Sequence, residues 1–234
     1  MGFQFGCVPI SSWDGILYTN RQEANMDRFF DEIDMRIIMV SKELFLQQGI
    51  AQTEMKVIAE RSGISRRTLY RRFSSKDSIA LYVTSEVIRE LNALPPRDSF
   101  DKEKNGFEKY AACMRITCQN YISNMEKIRL LDEFDQRFVG PYPQDGAAED
   151  FVKYNQKGET SRYIKMDFFT EGIADGSIRP FENVDFMCRC IDHELIAICE
   201  RILPREHHFI REHGYSEEFI WQTFDMILNY IQAK

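Results

Sequence analysis

Apolar residues recur at helical spacing along most of the chain, and no long stretch follows the two-residue period of a β-strand. A first apolar stripe, residues 30–45, is followed by Gly49, a typical helix terminator. A second stripe, residues 79–91, ends before Pro95 and Pro96. This pattern predicts an all-α protein.

The two prolines and the polar run after them form the clearest internal boundary. They separate a small N-terminal helical unit, residues 26–95, from a larger C-terminal helical domain, residues 96–234. In the larger domain the pattern predicts helices near 104–125, 127–139, 147–174, 183–203 and 216–232. The last two are apolar over wide arcs and need cover on more than one side. Intramolecular packing or a second subunit would provide it, and the sequence leaves both open.

Composition excludes several classes of protein. Of the 234 residues, 44% are hydrophobic and 29% are charged, which suits a folded core. No segment approaches the roughly 18 uncharged apolar residues of a membrane helix, and the first 20 residues have no basic stretch before an apolar run. The six cysteines form no CxxC pair. We expect a cytoplasmic protein with reduced thiols and no membrane partner.

The formal net charge of −7 conceals a basic window. From Lys56 to Lys76 there are seven basic residues and one acid, Glu60, so the window carries +6 and the remainder −13. Such asymmetry indicates a basic functional patch on an acidic body.

The basic window coincides with two short predicted helices. Thr53 is placed to cap the first, and Gly63 supplies the tight turn that ends it. Ser65 is placed to cap the second, in which Leu69 and Phe73 stand four residues apart on one face. This spacing predicts a helix-turn-helix.

The outward face of the second helix follows from a rotation of about 100° per residue. With Leu69 and Phe73 inward, Arg67 and Arg71 point outward and Thr68 lies beside them. Arginine donates a bidentate pair to guanine, and threonine suits thymine or several other base edges. These three side chains are therefore predicted to read bases.

Four other residues are better placed for DNA phosphates: Arg66, Tyr70, Arg72 and Lys76. Lys76 follows Ser74 and Ser75 at the predicted start of the next helix. Free amides and a lysine ammonium would together hold a phosphate there.

This segment resembles the DNA-binding domain of the tetracycline-repressor (TetR) family of bacterial transcription regulators. The similarity spans about fifty residues with matching spacings. It rests on Leu44-Phe45, Gly49, Thr53, Ile58-Ala59, Gly63-Ile64-Ser65, Thr68-Leu69-Tyr70, Phe73 and Ser75-Lys76. In the C-terminal half, the run from Asp175 to Pro180 also resembles a sequence motif that is common in this family.

The resemblance implies an all-helical homodimer with an N-terminal three-helix helix-turn-helix DNA-binding domain and a C-terminal helical ligand-binding and dimerisation domain. It implies a repressor that an unidentified small-molecule effector releases from double-stranded operator DNA. The DNA-binding positions it carries over are Thr53, Lys56, Arg66, Arg67, Thr68, Tyr70, Arg71, Arg72 and Lys76. This chain departs from the family in its density of arginine, which is four of the seven residues from Arg66 to Arg72.

Two alternatives remain open. In the first, Cys188, Cys190 and His193 on one helix, with Cys113 and Cys118 on another, serve a redox or metal-responsive regulator. Packing of small thiols in helical cores explains the same residues, and no metal-site spacing is met. In the second, the chain is a helical interaction protein that no longer binds DNA, and its mark would be loss of the basic residues.

Effector-binding residues cannot be selected from this sequence. Several aromatic and methionine side chains suit either a cavity wall or an ordinary core. They are Phe107, Tyr110, Met114, Phe134, Phe138, Tyr163, Met166 and Phe169. Gly-rich phosphate loops, GxSxG and HExxH motifs are absent from the sequence, so neither catalysis nor a cofactor is expected.

Residues 1–25 precede the first predicted helix and show no clear period. We treat them as an N-terminal extension, for which disorder is one interpretation. Two hypotheses stay open for it: Met26 is the true start, or the extension is a flexible arm that touches the adjacent DNA groove or the body.

Overall fold

The computed structural model describes residues 30–157 and 160–234, so the predicted N-terminal extension lies outside the described residues. Within them the chain forms helices α1 (Glu32–Gln52), α2 (Met55–Arg61), α3 (Arg66–Arg72), α4 (Lys76–Leu91), α5 (Gly106–Ser123), α6 (Met125–Arg137), α7 (Gly146–Lys157), α8 (Thr160–Asp175), α9 (Val184–Ile202), α10 (Glu206–His213) and α11 (Glu217–Ile231). Short 3₁₀ helices cover Arg97–Phe100 and Leu203–Arg205. Among the described residues, no helix is both long enough and apolar enough to cross a membrane.

The all-α prediction is confirmed, with two differences in the C-terminal half. The predicted helix 147–174 corresponds to α7 and α8, which lie on either side of residues 158–159. The sequence pattern predicts no helix between residues 203 and 216, yet the segment containing His207 and His208 is helix α10. That prediction was wrong because Pro204 sits in the first turn of a 3₁₀ helix, where a missing backbone N–H is tolerated.

We call α1 to α3 the head and α5 to α11 the body; α4 connects them. The head is held by inward apolar side chains, because Ile37, Phe45, Ile58 and Leu69 are each at most 2% exposed. Fully burying such a side chain is worth about 1.5–3 kcal/mol. This small core sets the angle at which α2 and α3 leave α1.

The head core continues into α4 through three aromatic rings. The ring of Phe30 stacks on that of Phe73 at a centroid distance of 6.4 Å and meets the edge of Tyr82 at 4.8 Å. Aromatic pairs in such geometry add about 0.5–1.5 kcal/mol beyond their buried area. The end of α3 is therefore packed directly against the connecting helix.

Helices α5 and α8 of the body approach each other closely at two glycines. A Cβ atom on Gly106 would lie 2.1 Å from the backbone nitrogen of Gly172. Any side chain at this position would force the helices apart. Glycine is thus required here by close packing of two backbones.

The run from Asp175 to Pro180 ties three parts of the body together. The Asp175 carboxylate accepts from the Gly106 amide at 2.8 Å, and the Ser177 hydroxyl accepts from the Phe107 amide at 3.0 Å, so both cap the start of α5. The amide of Arg179 donates to the carbonyl of Ile231 at the end of α11. This run of residues therefore connects the end of α8 to α5 and α11 through hydrogen bonds.

Helices α9 and α11 differ in how completely they are covered. The apolar stripe of α9 is buried within the subunit, from Cys188 to Ile202. Helix α11 buries Ile220 and Phe224, yet Met226 is 62% exposed and Tyr230 is 55% exposed. Intramolecular packing covers the first helix and leaves an apolar face on the second.

Candidate nucleic-acid interface

The turn between α2 and α3 has the predicted geometry. Gly63 adopts a φ of 67°, in the left-handed region where side chains are disfavoured. The Ser65 hydroxyl accepts from the amide of Thr68 at 3.1 Å and caps α3. Leu69 and Phe73 are at most 1% exposed, so their predicted inward orientation is confirmed.

The opposite face of α3 is exposed and basic. Arg66, Arg67 and Arg71 are exposed, as is 52% of Tyr70, and α3 contains no acidic residue. Thr68 is half-buried, and its hydroxyl lies 3.0 Å from that of Ser65. The result is a ridge of guanidinium groups on a rigid short helix, which we call the arginine ridge (Arg66, Arg67, Arg71).

Beside the ridge, five predicted DNA-binding residues line one shallow depression of about 390 Å³: Thr53, Lys56, Arg66, Tyr70 and Lys76. Lys56 is half-exposed and lies 3.8 Å from Glu60 on the next turn. The ammonium of Lys76 donates to the carbonyls of Ala51 and Thr53, each at 2.9 Å. Burial and nearby Arg137 lower the pKa of Lys76.

The structure does not present the Thr53 side chain to solvent. Thr53 is 1% exposed, and its hydroxyl donates to the carbonyl of Gly49 at 2.7 Å. The predicted cap of α2 by Thr53 was wrong: Glu54 occupies that position and makes no side-chain cap. Because α1 breaks at Gly49, a free carbonyl remains there, and the Thr53 hydroxyl satisfies it.

The guanidinium of Arg72 also points away from the arginine ridge. It donates to both carboxylate oxygens of Asp31 at 2.8 Å and to Asp34 at 2.9 Å. The backbone amide of Asp34 and the charge of Arg72 lower the pKa of Asp31, which itself caps α1. Arg72 therefore links the end of α3 to the start of α1.

A carboxylate of the body holds the far end of α1. Glu133 of α6 accepts from the amide of Ile50 at 2.9 Å and from that of Ala51 at 2.7 Å. A Cβ on Gly49 would lie 2.7 Å from the Glu133 carboxylate, so glycine permits the approach. We call these two hydrogen bonds the Glu133 clamp, because they attach the head to the body.

Further polar contacts join the start of α4 to the body. Asp77 pairs with Arg137 of α6, with the nearer nitrogen–oxygen distance at 2.5 Å. The Asp145 carboxylate, in the loop before α7, accepts from the hydroxyl of Ser74 at 2.6 Å and from that of Ser78. Movements of α6 and of this loop must therefore reach the residues that follow α3.

The body contains a groove of about 790 Å³ between α4, α6, α7, α8 and α9. Its walls include Ile88, Leu131, Phe134, Tyr142 and Phe151. Of the eight aromatic and methionine residues that the sequence offered as cavity candidates, Phe134 lines the groove. Sequence analysis missed the rest because groove-facing and core-facing positions have the same helical spacing.

Four cysteines of the described residues are packed as core side chains. Cys113, Cys118, Cys188 and Cys199 are buried, and burial raises the pKa of the first three thiols to about 12. A thiolate is the reactive and metal-binding form, and at neutral pH such thiols stay protonated. Within residues 30–157 and 160–234, no group of three His, Cys, Asp or Glu side chains is placed to hold a metal ion. The cysteine-based alternative is not favoured.

Residues 37–83, which comprise most of α1, all of α2 and α3 and the first half of α4, match the model of the tetR family of bacterial regulatory proteins. This segment is therefore similar to the corresponding part of tetR-family regulatory proteins. The HTH-type transcriptional repressor KstR2 of Mycolicibacterium smegmatis is 26% identical over 158 residues, which cover 66% of this chain and 72% of that protein. The repressor of the same name from Mycobacterium tuberculosis is 24% identical over 169 residues, covering 71% and 80%.

The similarity of architecture extends beyond the matched segment. A crystal structure of a tetR-family regulatory protein from Rhodococcus RHA1 superposes with a TM-score of 0.58 at 16% identity, covering 88% of this chain and all of that one. The body therefore has the same fold as that protein.

The contact of Arg72 with Asp31 and Asp34 predicts a loss of stability on substitution. In Arg72→Ala, the Asp34 carboxylate, whose side chain is 6% exposed, would lose its partner. We expect a clear fall in the melting temperature measured by circular dichroism. Arg71→Ala is the matched control, because the neighbouring Arg71 is exposed, and it should melt like the parent. Equal melting of both variants would contradict this role of Arg72.

The Glu133 clamp predicts protected amides at the end of α1. Hydrogen bonds to a charged acceptor contribute about 1.5–3 kcal/mol, so Glu133→Ala should speed local exchange at Ile50 and Ala51 by about tenfold or more. Hydrogen–deuterium exchange mass spectrometry on peptides covering residues 46–54 measures this. Glu126→Ala, an exposed site on the same helix, should leave that exchange unchanged. Unaltered exchange in Glu133→Ala would show that the clamp does not restrain α1.

Proposed function

We propose that this protein is a dimeric transcriptional repressor that binds a pseudo-palindromic operator and acts by binding, without catalysis. The α3 helix of each subunit enters one of two successive major grooves, about 34 Å apart along the DNA. The observation that carries the proposal is the arginine ridge, exposed on a capped helix inside the segment that matches the tetR model. The repressors named among the relatives support the same direction of control.

We assign direct base contacts to Arg67, Thr68 and Arg71. Arginine forks match the acceptors of guanine in the major groove, and a threonine methyl or hydroxyl suits several base edges. Because α3 spans seven residues, two turns suffice to place these side chains over adjacent base pairs. Base readout and phosphate contact are thus divided between neighbouring faces.

Phosphate contacts fall to Lys56, Arg66 and Tyr70, which line the depression beside α3. Thr53 and Lys76 line the same depression, but their polar groups satisfy backbone carbonyls, so we propose that they shape it. Arg72 positions α3 through its contact with α1. Of the nine residues predicted from the sequence, six are proposed to touch DNA directly.

The same proposal divides the chain into a DNA-binding domain, residues 26–95, and an effector-binding and dimerisation domain, residues 96–234. The acidic charge of the second domain suits a part that faces away from phosphates. A cytoplasmic location accords with binding to bacterial operator DNA.

Dimerisation is proposed through the apolar face of α11. Met226 and Tyr230 stand one turn apart and are more than half exposed, and Phe219 lies two turns before Met226 at 38% exposure. A second copy of α11 would bury these side chains symmetrically. A two-fold axis there would also pair two heads, as a palindromic operator requires.

Release of DNA is proposed to begin in the groove of the body. Helices α4 and α6 both line it, and both hold the head, α4 by direct continuation and α6 through the Glu133 clamp. An effector that fits one spacing of α4 and α6 better than another would change the distance between the two α3 helices. It can do so only in proportion to its difference in affinity for the two states.

DNA binding is tested by fluorescence anisotropy with the gene's own upstream fragment and a scrambled fragment of equal length, at several salt concentrations. The native fragment should bind more tightly and survive about 0.15 M salt. Arg67→Ala or Arg71→Ala should cost about 1–3 kcal/mol and reduce discrimination between the fragments. Lys56→Ala should weaken both fragments alike and lower the salt slope by about one.

Lys102→Ala is the matched control for these substitutions, since Lys102 is 77% exposed and lies beyond α4. It should leave both affinities unchanged. Uniform weakening by all three head variants would refute the division into base and phosphate contacts. Equal, steeply salt-dependent binding of the two fragments would refute a specific operator in that fragment.

The dimer is tested by light scattering coupled to size exclusion. The parent should elute at twice the chain mass of 27.6 kDa. Met226→Glu places a charge on the proposed contact and should shift the mass to that of a single chain, because an unpaired charge is costly to bury. Asp225→Lys reverses a charge at an exposed α11 position about 100° around the helix from Met226, outside the proposed contact, and should remain dimeric. A monomeric parent, or a dimeric Met226→Glu, would exclude this face.

A further inference from the structure

Charged side chains line both ends of the groove, and they differ in whether they have partners. At the end nearest the start of α9, the ammonium of Lys165 is 2.7 Å from Asp192 and is 2% exposed. Arg162 and Arg189 both pair with Asp185. Three cations thus share two carboxylates at this end, which keeps a net charge of about +1, opposite in sign to that of the other end.

The other end carries two carboxylates, Asp135 of α6 and Glu200 of α9. Among the described residues, neither forms an ion pair or a hydrogen bond. Burial, then the charges of Asp135 and Asp132, raise the pKa of Glu200 to about 7. Burial and Asp132 also raise the pKa of Asp135, against the opposing effect of His193. This end is therefore acidic, with His193 acting on Asp135 from the same groove.

The two ends are well separated. Arg189 and Glu200 both lie on α9, and eleven residues of helix span about 16 Å. At that distance the arginines have a much weaker effect on the carboxylates than a neighbouring charge would have, because Coulomb energy falls with distance.

Aromatic rings flank the acidic end. Phe134, Tyr142 and Phe151 line the groove, and the ring of Tyr142 lies 5.7 Å from that of Phe151. Tyr142 is close enough to Asp135 for that carboxylate to raise its pKa, after the larger effect of burial. Aromatic faces beside carboxylates attract organic cations, which gain both cation–π contact and charge pairing.

An independent sign of a ligand is an unsatisfied hydroxyl on the connecting helix. Thr84 of α4 lines the groove, is 1% exposed, and its hydroxyl has no hydrogen-bond partner. The hydroxyl of Tyr154, on the opposite wall, is also buried and unpartnered. Buried polar groups are normally satisfied, so these two await a partner that enters the groove.

We propose that the groove binds an organic cation with a largely apolar body, whose charged nitrogen or equivalent centre lies between Asp135 and Glu200. The body of the ligand lies against Phe134 and Phe151, and a polar group on it meets Thr84. This inference rests on the proposed function, since it names the chemical class of the effector.

The position of Asp135 connects such a ligand to the head. Asp135 and Glu133 are two residues apart on α6, and Glu133 holds the end of α1. A cation that draws Asp135 toward Glu200 of α9 pulls α6 away from the head. The same helix thus carries both the ligand contact and the Glu133 clamp.

The charge sign is tested without any substitution. Tetraphenylphosphonium and tetraphenylborate have nearly the same shape and opposite charge, and isothermal titration calorimetry measures the binding of each to the full chain without DNA. The cation should bind at least about tenfold more tightly, which is 1.4 kcal/mol. Equal affinities, tighter binding of the borate, or binding of neither ion would overturn the proposal.

Two variants test whether the cation binds between Asp135 and Glu200. Asp135→Asn and Glu200→Gln should each weaken tetraphenylphosphonium binding by about fivefold or more and leave the borate no weaker than in the parent. Glu182→Gln, an exposed carboxylate outside the groove, is the matched control and should change neither affinity. Unchanged cation binding in both groove variants would overturn the placement.

The pH dependence of the affinity for tetraphenylphosphonium gives a second test. The charges that act on Glu200 are those of Asp135 and Asp132 of α6, and His193 of α9 acts in turn on Asp135. A cation binds the ionised carboxylate, so the affinity should rise between pH 6 and pH 8, and this rise should be smaller in Glu200→Gln. An identical profile in that variant would contradict the role of Glu200. Failure of DNA binding would leave these calorimetric results unaffected, so the two proposals fail separately.

Discussion

The Glu133 clamp is the contact on which the relation between head and body depends. A helix that ends at a glycine exposes unsatisfied backbone groups, and in this chain the amides that follow Gly49 are satisfied by a carboxylate from α6. Helix α4 is therefore not alone in attaching the head to the body. Its orientation is set by α4 together with α6 of the body, and both helices line the groove.

The short helices of the head are likewise stabilised by side chains that form hydrogen bonds with the free backbone groups at helix ends. Ser65 caps the start of α3. The side chains of Lys76 and Thr53 donate hydrogen bonds to carbonyls at the end of α1. Arg72 donates to Asp31, which caps the start of α1. Isolated helices of seven residues are marginal in water. Helix α3 keeps its shape because its neighbours hold both ends, and its exposed arginines are then free for DNA.

The body uses its charges in two different ways. Near the start of α9, arginine, lysine and aspartate residues pair with one another and join α8 to α9. Between α6 and α9, Asp135 and Glu200 line the same groove without an ion pair to any described residue, and Thr84 adds an unsatisfied hydroxyl. The first arrangement links two helices. The second is the part of the groove in which we propose that a cation binds.

The sequence by itself determined the helical class, the helix-turn-helix and the face of α3 that is exposed, because caps, the turn glycine and helical periodicity are local properties. It also showed the basic window within an acidic chain. Local signals did not reveal that Arg72 turns inward, since its partner Asp31 lies 41 residues earlier and only packing brings the two together. The Thr53 hydroxyl turns to Gly49, four residues before it, because α1 breaks at that glycine and leaves a carbonyl free. Nor did local signals separate groove walls from core, because both use the same apolar spacing. Tertiary structure alone decided that Glu133 meets α1 across more than eighty residues of sequence and that Asp135 and Glu200 line one groove, because contacts between distant segments depend on how whole helices pack.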